Sequence, residues 1–575
     1  MVISFAINYR SEKDYDLIIG NPPWESRGKE QIALHFARRT PEMLREGGIG
    51  CLILPTTILV NRNGTLDGDW FRAVTVEKIV QLADYRKLMF ASAIHAGFII
   101  RYRKAKPTLE HTIIYETPKV SRFDRRRGII VVEPDDQKVV TQRDVLEASL
   151  HDEKHDQSRL QALWSRRFWG SPRDEALLRR LDFFPRLSEA IRKNKWNQGV
   201  GFQPYYTGIS PGDPKPLSPW KLSDHYLPNS DGFPQLVLQK DDFVSLREGL
   251  EASVHPGTKG QASKDGLRRK PEERLFTPPM VVFSNGFTKF AFCRDVIRFQ
   301  DSLRSICGKE ADGDLLRFLT AALGSRLMLY QAFHSGSSNG IGRDKLHLYE
   351  SLSLPFPLPD DELAADNAAE IVRESASIIK GVERDGADTA PNERAELVAN
   401  AKKQLEPLVD AYFSVSDTER ILISDTLELW QPSIHKQNLD LDIPALRFPD
   451  EQDRNRYAGV LAGELGRFSR KEGIRISVEG MVSKELNLVF VTVIFGGEKQ
   501  PYREIGSDAE LWKALTRVDK AAQKENGPIS YLRGFTYCER DRIHILKPAT
   551  MRNWCRTAAI NDADAAFEYL RGEPA

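Results

Sequence analysis

The run Asp16-Leu17-Ile18-Ile19-Gly20, followed at once by Asn21-Pro22-Pro23-Trp24, constrains this chain more than any other stretch. Consecutive aliphatic side chains bounded by turn residues read as a strand buried in a sheet. Two prolines cannot donate to a sheet ladder and hold their own backbone angles, so the strand must stop at Gly20 and the chain must leave it in a fixed direction.

The stretch that follows keeps an α/β rhythm. Residues 29–46 place Ile32, Ala33, Phe36, Ala37, Met43 and Leu44 on an approximately helical period, and Gly47-Gly48 is expected to end that helix. Residues 49–55 (IGCLILP) read as a second buried strand, 70–76 as a short helix, and 78–83 and 97–102 as two further strands. Strand, helix, strand, helix and two close strands is the order of half a doubly wound sheet.

The remainder divides by composition. Residues 104–165 lose the rhythm and read as a connector, with a strand expected at 129–132 and a helix at 141–150. From Phe168 to about Pro357 turn residues and aromatics dominate, with one leucine-rich helix expected over 314–332. The proline cluster SLSLPFPLPDD (351–361) marks a boundary. An Ala/Glu/Lys-rich helical pair is expected over 361–413, split by the polar turn at 386–391. Residues 420–575 read as a separate α+β unit, with strands at 474–478 and 487–494 and helices at 508–518 and 562–570.

A chain of 575 residues is too long for one core, and a prior of roughly 150 residues per domain suggests three or four units. Hydrophobic content of 41% with 28% charged residues is ordinary for a globular protein. No apolar run approaches the ~18 residues of a membrane helix and no signal peptide opens the chain, so a cytoplasmic protein is expected. The 82 basic and 81 acidic side chains nearly cancel, so total charge says nothing for or against nucleic acid. Five scattered cysteines support neither a zinc site nor a disulfide framework.

Asn-Pro-Pro-aromatic at a strand end suits the activation of an exocyclic amine. The amino nitrogen of adenine is a poor nucleophile because its lone pair is delocalised into the ring. Two acceptors for its hydrogens, the Asn21 side-chain oxygen and the Pro22 carbonyl, would draw it towards a tetrahedral geometry, while Pro22 and Pro23 fix both acceptors and Trp24 stacks on the base. Reaching that amine in a duplex means flipping the nucleotide out, which costs a few kcal/mol that an aromatic wall partly offsets.

This strand and its NPPW motif resemble the catalytic motif of gamma-type N6-adenine DNA methyltransferases. The order that follows, through VEKIVQLADYRKLMFASAIHAGFIIRYRK (76–104), is similar to the adenine enzymes of type I and type IIG restriction-modification systems. The resemblance implies a base contact at Phe90, which precedes Ser92-Ala93. Residues 295–357, with a polar loop from His334 to Arg343, are similar to the target-recognition module of type IIG enzymes, and 535–570 resembles the end of adenine-methyltransferase-like proteins of phage-defence loci. In that context Arg268, Arg269, Lys270 and Arg343 are candidate DNA contacts, as is the run Arg125–Arg127. Gly340-Ile341-Gly342 is too weak for a phosphate cradle.

The resemblance also implies S-adenosylmethionine, which such enzymes hold on a glycine-rich turn after the first strand with an acidic residue at the end of the next. Nothing before Asp16 supplies either, Asp16 is at most adjacent to the cofactor, and no such turn follows downstream. Ile494-Phe495-Gly496-Gly497 comes nearest, and a hairpin turn explains it better. A central strand without its neighbour would expose unpaired backbone beside Leu17, Ile18 and Ile19, so another chain is expected to cover it.

The fold expected is therefore a partial Rossmann-like α/β methyltransferase sheet (1–105), a connector (106–165), a mixed α+β target-recognition region that binds DNA (166–358), a helical connector (359–419) and an α+β C-terminal domain (420–575). The function expected is a fragment or subunit of a site-specific adenine N6-methyltransferase from a restriction-modification or phage-defence system. Its partners would be double-stranded DNA, an upstream methyltransferase half, and a restriction or helicase component; no metal and no membrane enter, and activity is not expected of this chain alone. The competing reading is a non-catalytic DNA-binding specificity subunit. A fused nuclease is disfavoured because Pro134-Asp135 runs straight into Asp136-Gln137-Lys138 without a spacer. A glutamine methyltransferase is disfavoured because it has no need for the long region 168–357.

Overall fold

The computed structural model describes residues 14–27, 30–61, 65–89, 96–120, 129–150, 158–228, 235–255, 257–337, 346–387, 389–434, 443–469, 475–496, 502–506, 508–526, 535–539 and 541–571. The chain forms two compact units, residues 1–120 with 127–415, and 121–126 with 416–575. It is a mixed α/β protein with several sheets.

The first unit opens with β1 (Tyr15–Gly20), α1 (Ile32–Met43), β2 (Leu44–Pro55), α2 (Gly68–Ala73), β3 (Thr75–Gln81), β4 (Gly97–Arg103), β5 (Thr112–Glu116), β6 (Gln137–Thr141), α3 (Gln142–Leu150) and α4 (Ser158–Trp169). The six strands make one sheet in the order β1-β2-β4-β3-β5-β6. β1 runs parallel to β2, and β3 parallel to β5; β4 is antiparallel to both its neighbours, and β6 to β5. Hence β1, β2, β3 and β5 all end along the edge where β4 and β6 begin.

Alternation along the strands sends one set of side chains into a core. Leu52, Leu54, Val76, Ile79, Phe98, Ile100, Tyr102, Ile113, Tyr115 and Val140 are fully buried, packed with Ala33, Leu34 and Ala37 of α1, Trp70 and Phe71 of α2, Val145 of α3, and Leu160, Trp164 and Phe168 of α4. The alternate set faces the other way and is less covered: Ile49, Cys51, Ile53, Val80, Ile99 and Ile114 are half-buried, while Leu17, Ile19 and Val139 are exposed. A doubly wound sheet carries helices on both faces. Among the described residues the helices of this core lie on one face, so the part of the sheet that is described has one helical layer.

Three further expectations change here. Gly47 and Gly48 do not end α1; that helix stops at Met43, two residues after Pro41, and the glycines lie inside β2, where Gly47 takes φ +76° beside a register shift against β1. Residues 106–165 are not a bare connector, because β5 and β6 extend the sheet and α4 supplies Trp164 and Phe168 to its core. Residues 129–132 form no strand; the strand comes later, at β6.

Beyond α4 the first unit builds a second sheet from Leu236–Val237, Phe290–Cys293, Met280–Ser284, Leu303–Cys307 and Asn197–Val200, in that spatial order. Gly324 and Ser325 divide the expected leucine-rich helix into Gly313–Leu323 and Arg326–Ser335, with Ser325 capping the second through Met328 N. The helices Ala368–Asp385 and Pro391–Tyr412 are fastened to this region. Arg317 makes a two-point ion pair with Glu383 at 2.7 and 2.8 Å, and Arg394 another with Asp242 at 2.9 and 2.7 Å. The pair expected as a connector is thus packed against residues of the 166–358 region.

The second unit carries a five-stranded sheet, ordered Arg503–Glu504, Ile476–Ser483, Leu488–Phe495, Arg542–Pro548, Phe535–Glu539. Helices Glu451–Ser469 and Arg556–Arg571 share its main core with Val489, Val491, Ile543 and Ile545. After Gly496 the next described strand, Arg503–Glu504, pairs with Ile476–Ser483, so the stretch read as a hairpin turn does not join neighbouring strands.

Candidate active site at the carboxyl edge of the first sheet

In open α/β sheets, ligands gather outside the carboxyl ends of the strands. Asn21-Pro22-Pro23-Trp24 leaves β1 at that edge. Asn21 is exposed, Pro22 is buried, and Pro23 and Trp24 are half-buried, so the motif offers the asparagine outward on a proline floor that the core holds. Trp24 packs on the same core as the strands, and the outer edge of its indole lies against Gly97, the first residue of β4.

Neighbouring groups tie this edge together. Ile32 N donates to Glu25 O at 3.0 Å, returning the chain after Trp24 to the start of α1. Gln31 Nε2 donates to Thr57 Oγ1 at 2.9 Å, joining that start to the turn after β2. Beside it, Thr56 N donates to Ala96 O at 2.8 Å, and Thr56 Oγ1 to Gln81 Oε1, also at 2.8 Å. Thr56 and Gln81 are fully buried, so these bonds are shielded from water and hold the ends of β2, β3 and β4 in one register. Further along, Lys119 Nζ donates to Thr117 O and Phe168 O at 2.6 and 2.8 Å and lies over the rings of Phe168 and Trp169.

The remaining expected residues fall elsewhere. Asp16 sits near the start of β1, five positions before Asn21, in an exposed ion pair with Arg45. Phe90 and Arg343 lie outside the described residues, as do Arg125–Arg127 and Gly340–Gly342. Arg268 and Arg269 are exposed at the end of the strand Ala262–Arg269; Arg269 donates to Gly201 O at 3.1 Å. Lys270 differs: its ammonium donates to the carbonyls of Pro216, Leu217 and Ser218 and lies 5.1 Å from the centre of the Trp220 ring. Burial lowers its pKa.

Gly97, Thr56, Gln81 and Gln31 escaped sequence reasoning. Each is unremarkable in its own segment, and only the glycine in His95-Ala96-Gly97, just before an apolar strand, carried a signal of close backbone approach.

For the methyl donor that the motif implies, the described residues show no glycine-rich turn beside β1 and no acidic residue closing a neighbouring strand. Among them no strand pairs with the outer edge of β1, where Leu17 is 53% and Ile19 73% exposed. The described residues therefore do not form a cradle for S-adenosylmethionine. Nor do they contain a cluster of His, Cys, Asp or Glu side chains that could hold a metal ion, and none of their helices is long and apolar enough to cross a membrane.

No family model matches this chain, and no curated protein sequence does. Solved structures give faint likenesses. The type IIL restriction-modification enzyme MmeI in complex with DNA aligns over 72% of this chain and 57% of its own, at 10% identity and a TM-score of 0.34. The type IIG restriction endonuclease BpuSI aligns over 68% of this chain and 50% of its own, at 10% identity and a TM-score of 0.26. A modification subunit of a type I restriction enzyme from Vibrio vulnificus YJ016 aligns over 24% of this chain and 37% of its own, at 14% identity and a TM-score of 0.19. This chain spans about half the length of the BpuSI chain it matches. At such scores the likeness carries no argument about fold or activity.

Proposed function

We propose that this chain is the part of a site-specific DNA adenine N6-methyltransferase that holds the target base, within a restriction-modification or phage-defence system. The observation that carries the reading is the position of Asn21–Trp24: an exposed amide acceptor on a buried proline, followed by a half-buried indole, at the sheet edge where ligands collect. The Asn21 side-chain oxygen and the Pro22 carbonyl accept the two hydrogens of the adenine amine, and Trp24 stacks on the flipped ring. S-adenosylmethionine, when bound, supplies the methyl group. In this reading a partner alongside the outer edge of β1 holds it, and methyl transfer needs both chains.

Arg268 and Arg269 are the surface cations of the target-recognition region in this reading, and double-stranded DNA is their ligand. The lack of a cofactor cradle among the described residues favours one second reading, a DNA-binding specificity subunit without catalysis. Both are tested by titrating S-adenosylmethionine into the full chain with and without the product of the adjacent upstream reading frame. Binding that needs both chains, with methyl transfer to DNA abolished by Asn21→Ala, supports the enzyme. Salt-sensitive DNA binding that survives Asn21→Ala, with no cofactor binding in either case, supports the specificity subunit and ends the catalytic assignment.

A further inference from the structure

A residue outside the motif sets where Trp24 stands. Gly97 opens β4 opposite Pro55, and its carbonyl accepts from Leu82 N at 3.0 Å. A Cβ added to Gly97 would lie 2.5 Å from Cη2 and 3.1 Å from Cζ2 of Trp24, and 3.4 Å from the carbonyl oxygen of Leu54. Side-chain carbons do not approach other heavy atoms to 2.5 Å, so the six-membered ring of the indole fills the space that any other residue at 97 needs. The backbone of Gly97 is not left-handed, so conformation does not require glycine there. Contact with Trp24 does.

We propose that Gly97 is the positioning residue for Trp24, fixing how deeply the indole seats and hence the plane against which a flipped base stacks. The inference rests on the adenine-methyltransferase reading for the word base; the contact itself does not. It has a mechanical consequence. Among the described residues β1 pairs on one side, with β2, while Trp24 is indexed to β4, the third strand in the sheet order, which is paired to both β2 and β3. The wall of the base site is thus preformed by this chain whether or not another chain covers the outer edge of β1. The edge carries cofactor delivery, and the interior strand carries base placement.

The test compares the full wild-type chain with Gly97→Ala, Trp24→Phe and the double variant. A phenyl ring at 24 lacks the atoms that meet Gly97, so a clash through the indole must vanish in the Trp24→Phe background, whereas a clash with the Leu54 carbonyl must persist. Two readouts are taken: acrylamide quenching of Trp24 fluorescence, obtained as the difference from the corresponding Phe variant, and tritiated methyl incorporation from S-adenosylmethionine into long unmethylated DNA with the upstream chain present. Gly97→Ala is expected to raise the quenching of Trp24 and to lower incorporation roughly 10²-fold, the scale of loss for a displacement of about 1 Å at a reacting centre. On top of Trp24→Phe it should change incorporation by no more than about twofold, since the two sites then share no contact. Equal losses in both backgrounds, or unchanged quenching in Gly97→Ala, would overturn the proposal. Absence of incorporation by the wild-type pair would remove the enzymatic reading, and the quenching comparison would still decide whether Gly97 sets the ring.

Discussion

Neighbouring cations at one strand end do different work. Lys270 gives its ammonium to three backbone carbonyls and a tryptophan face, so it pins the 216–218 segment, while Arg268 points to solvent. Sequence alone could not divide them, because the run Arg268-Arg269-Lys270 shows charge and hides what each charge already holds. Lys270→Met should lower the unfolding free energy by roughly 1–2 kcal/mol for lost charge-assisted bonds, read as a lower urea midpoint at unchanged m-value, and leave the salt dependence of DNA binding unchanged. Arg268→Ala should leave stability within about 0.5 kcal/mol and, on the proposed DNA-binding reading, reduce the slope of log affinity against log salt by about one. A flatter slope in Lys270→Met instead would reverse the assignment.

A buried cluster shows how far charge can be hidden from sequence. Asp174 is buried; it accepts from Tyr330 Oη at 2.7 Å and from Ser171 N and Oγ at 2.6 Å, with His334 Nε2 3.4 Å away. Burial pushes its carboxyl up, but His334 and the bonds from Ser171 outweigh this and hold it below the usual carboxylate range. A carboxylate depressed on folding stabilises above its unfolded pKa, ~4, and loses that contribution as pH falls through the folded value. Asp174→Asn should therefore cost about 2–3 kcal/mol near neutral pH. Urea unfolding of both proteins down a pH series should show that gap narrowing below about pH 4. A constant gap would mean that shape, not charge, is what Asp174 supplies.

At the scale of elements, legibility followed burial on one strand at a time. β1 and β2 stood out because their apolar residues are consecutive, whereas β5 (TIIYE) and β6 (QKVVT) are five-residue strands with one face turned outward, set among charged residues, and were passed over. The proline turn after β1 was legible because its four residues are adjacent; Gly97, which meets the last of them, arrives several elements later and no local pattern links the two. The same outward face explains why a doubly wound sheet was expected where the described residues show one helical layer: hydrophobic runs report burial without saying on how many sides. β1 shows this most clearly. Ile19 lies within its apolar run and is 73% exposed, so Ile19→Lys should leave the stability of the chain within about 0.5 kcal/mol while reducing self-association, because edge lysines oppose strand pairing. Sedimentation of the variant against the wild type checks the first of these expectations. Its failure to gain S-adenosylmethionine binding when the upstream chain is added checks the second, and wild-type cofactor binding by Ile19→Lys would place the partner elsewhere.

For the molecule as a whole, the division after Val415 is the feature that a linear reading could locate only through composition, which put a boundary near 420. The structure gives a physical reason for the earlier position. Asp425, 7% exposed, accepts from Thr557 N at 2.7 Å and Thr557 Oγ1 at 2.8 Å, and from Arg556 Nη2 at 3.0 Å, so the helix Asp417–Asp425 holds the first turn of the helix Arg556–Arg571. Leu422 and Ile423 of the same helix are buried, and Leu429 joins the core built on Tyr457, Val491 and Trp554. A fragment of residues 416–575 keeps all of these contacts, and one of 431–575 loses them together. The longer fragment should unfold cooperatively with near-ultraviolet circular dichroism of a fixed core. The shorter one should lose roughly 2–3 kcal/mol from the charged cap alone, and more from the absence of Leu422, Ile423 and Leu429 and the baring of the core they cover, which is a large share of what a domain of this size has to lose. Equal urea midpoints for the two would show that the segment before Gln431 is an appendage, and would move the boundary of the second unit past it.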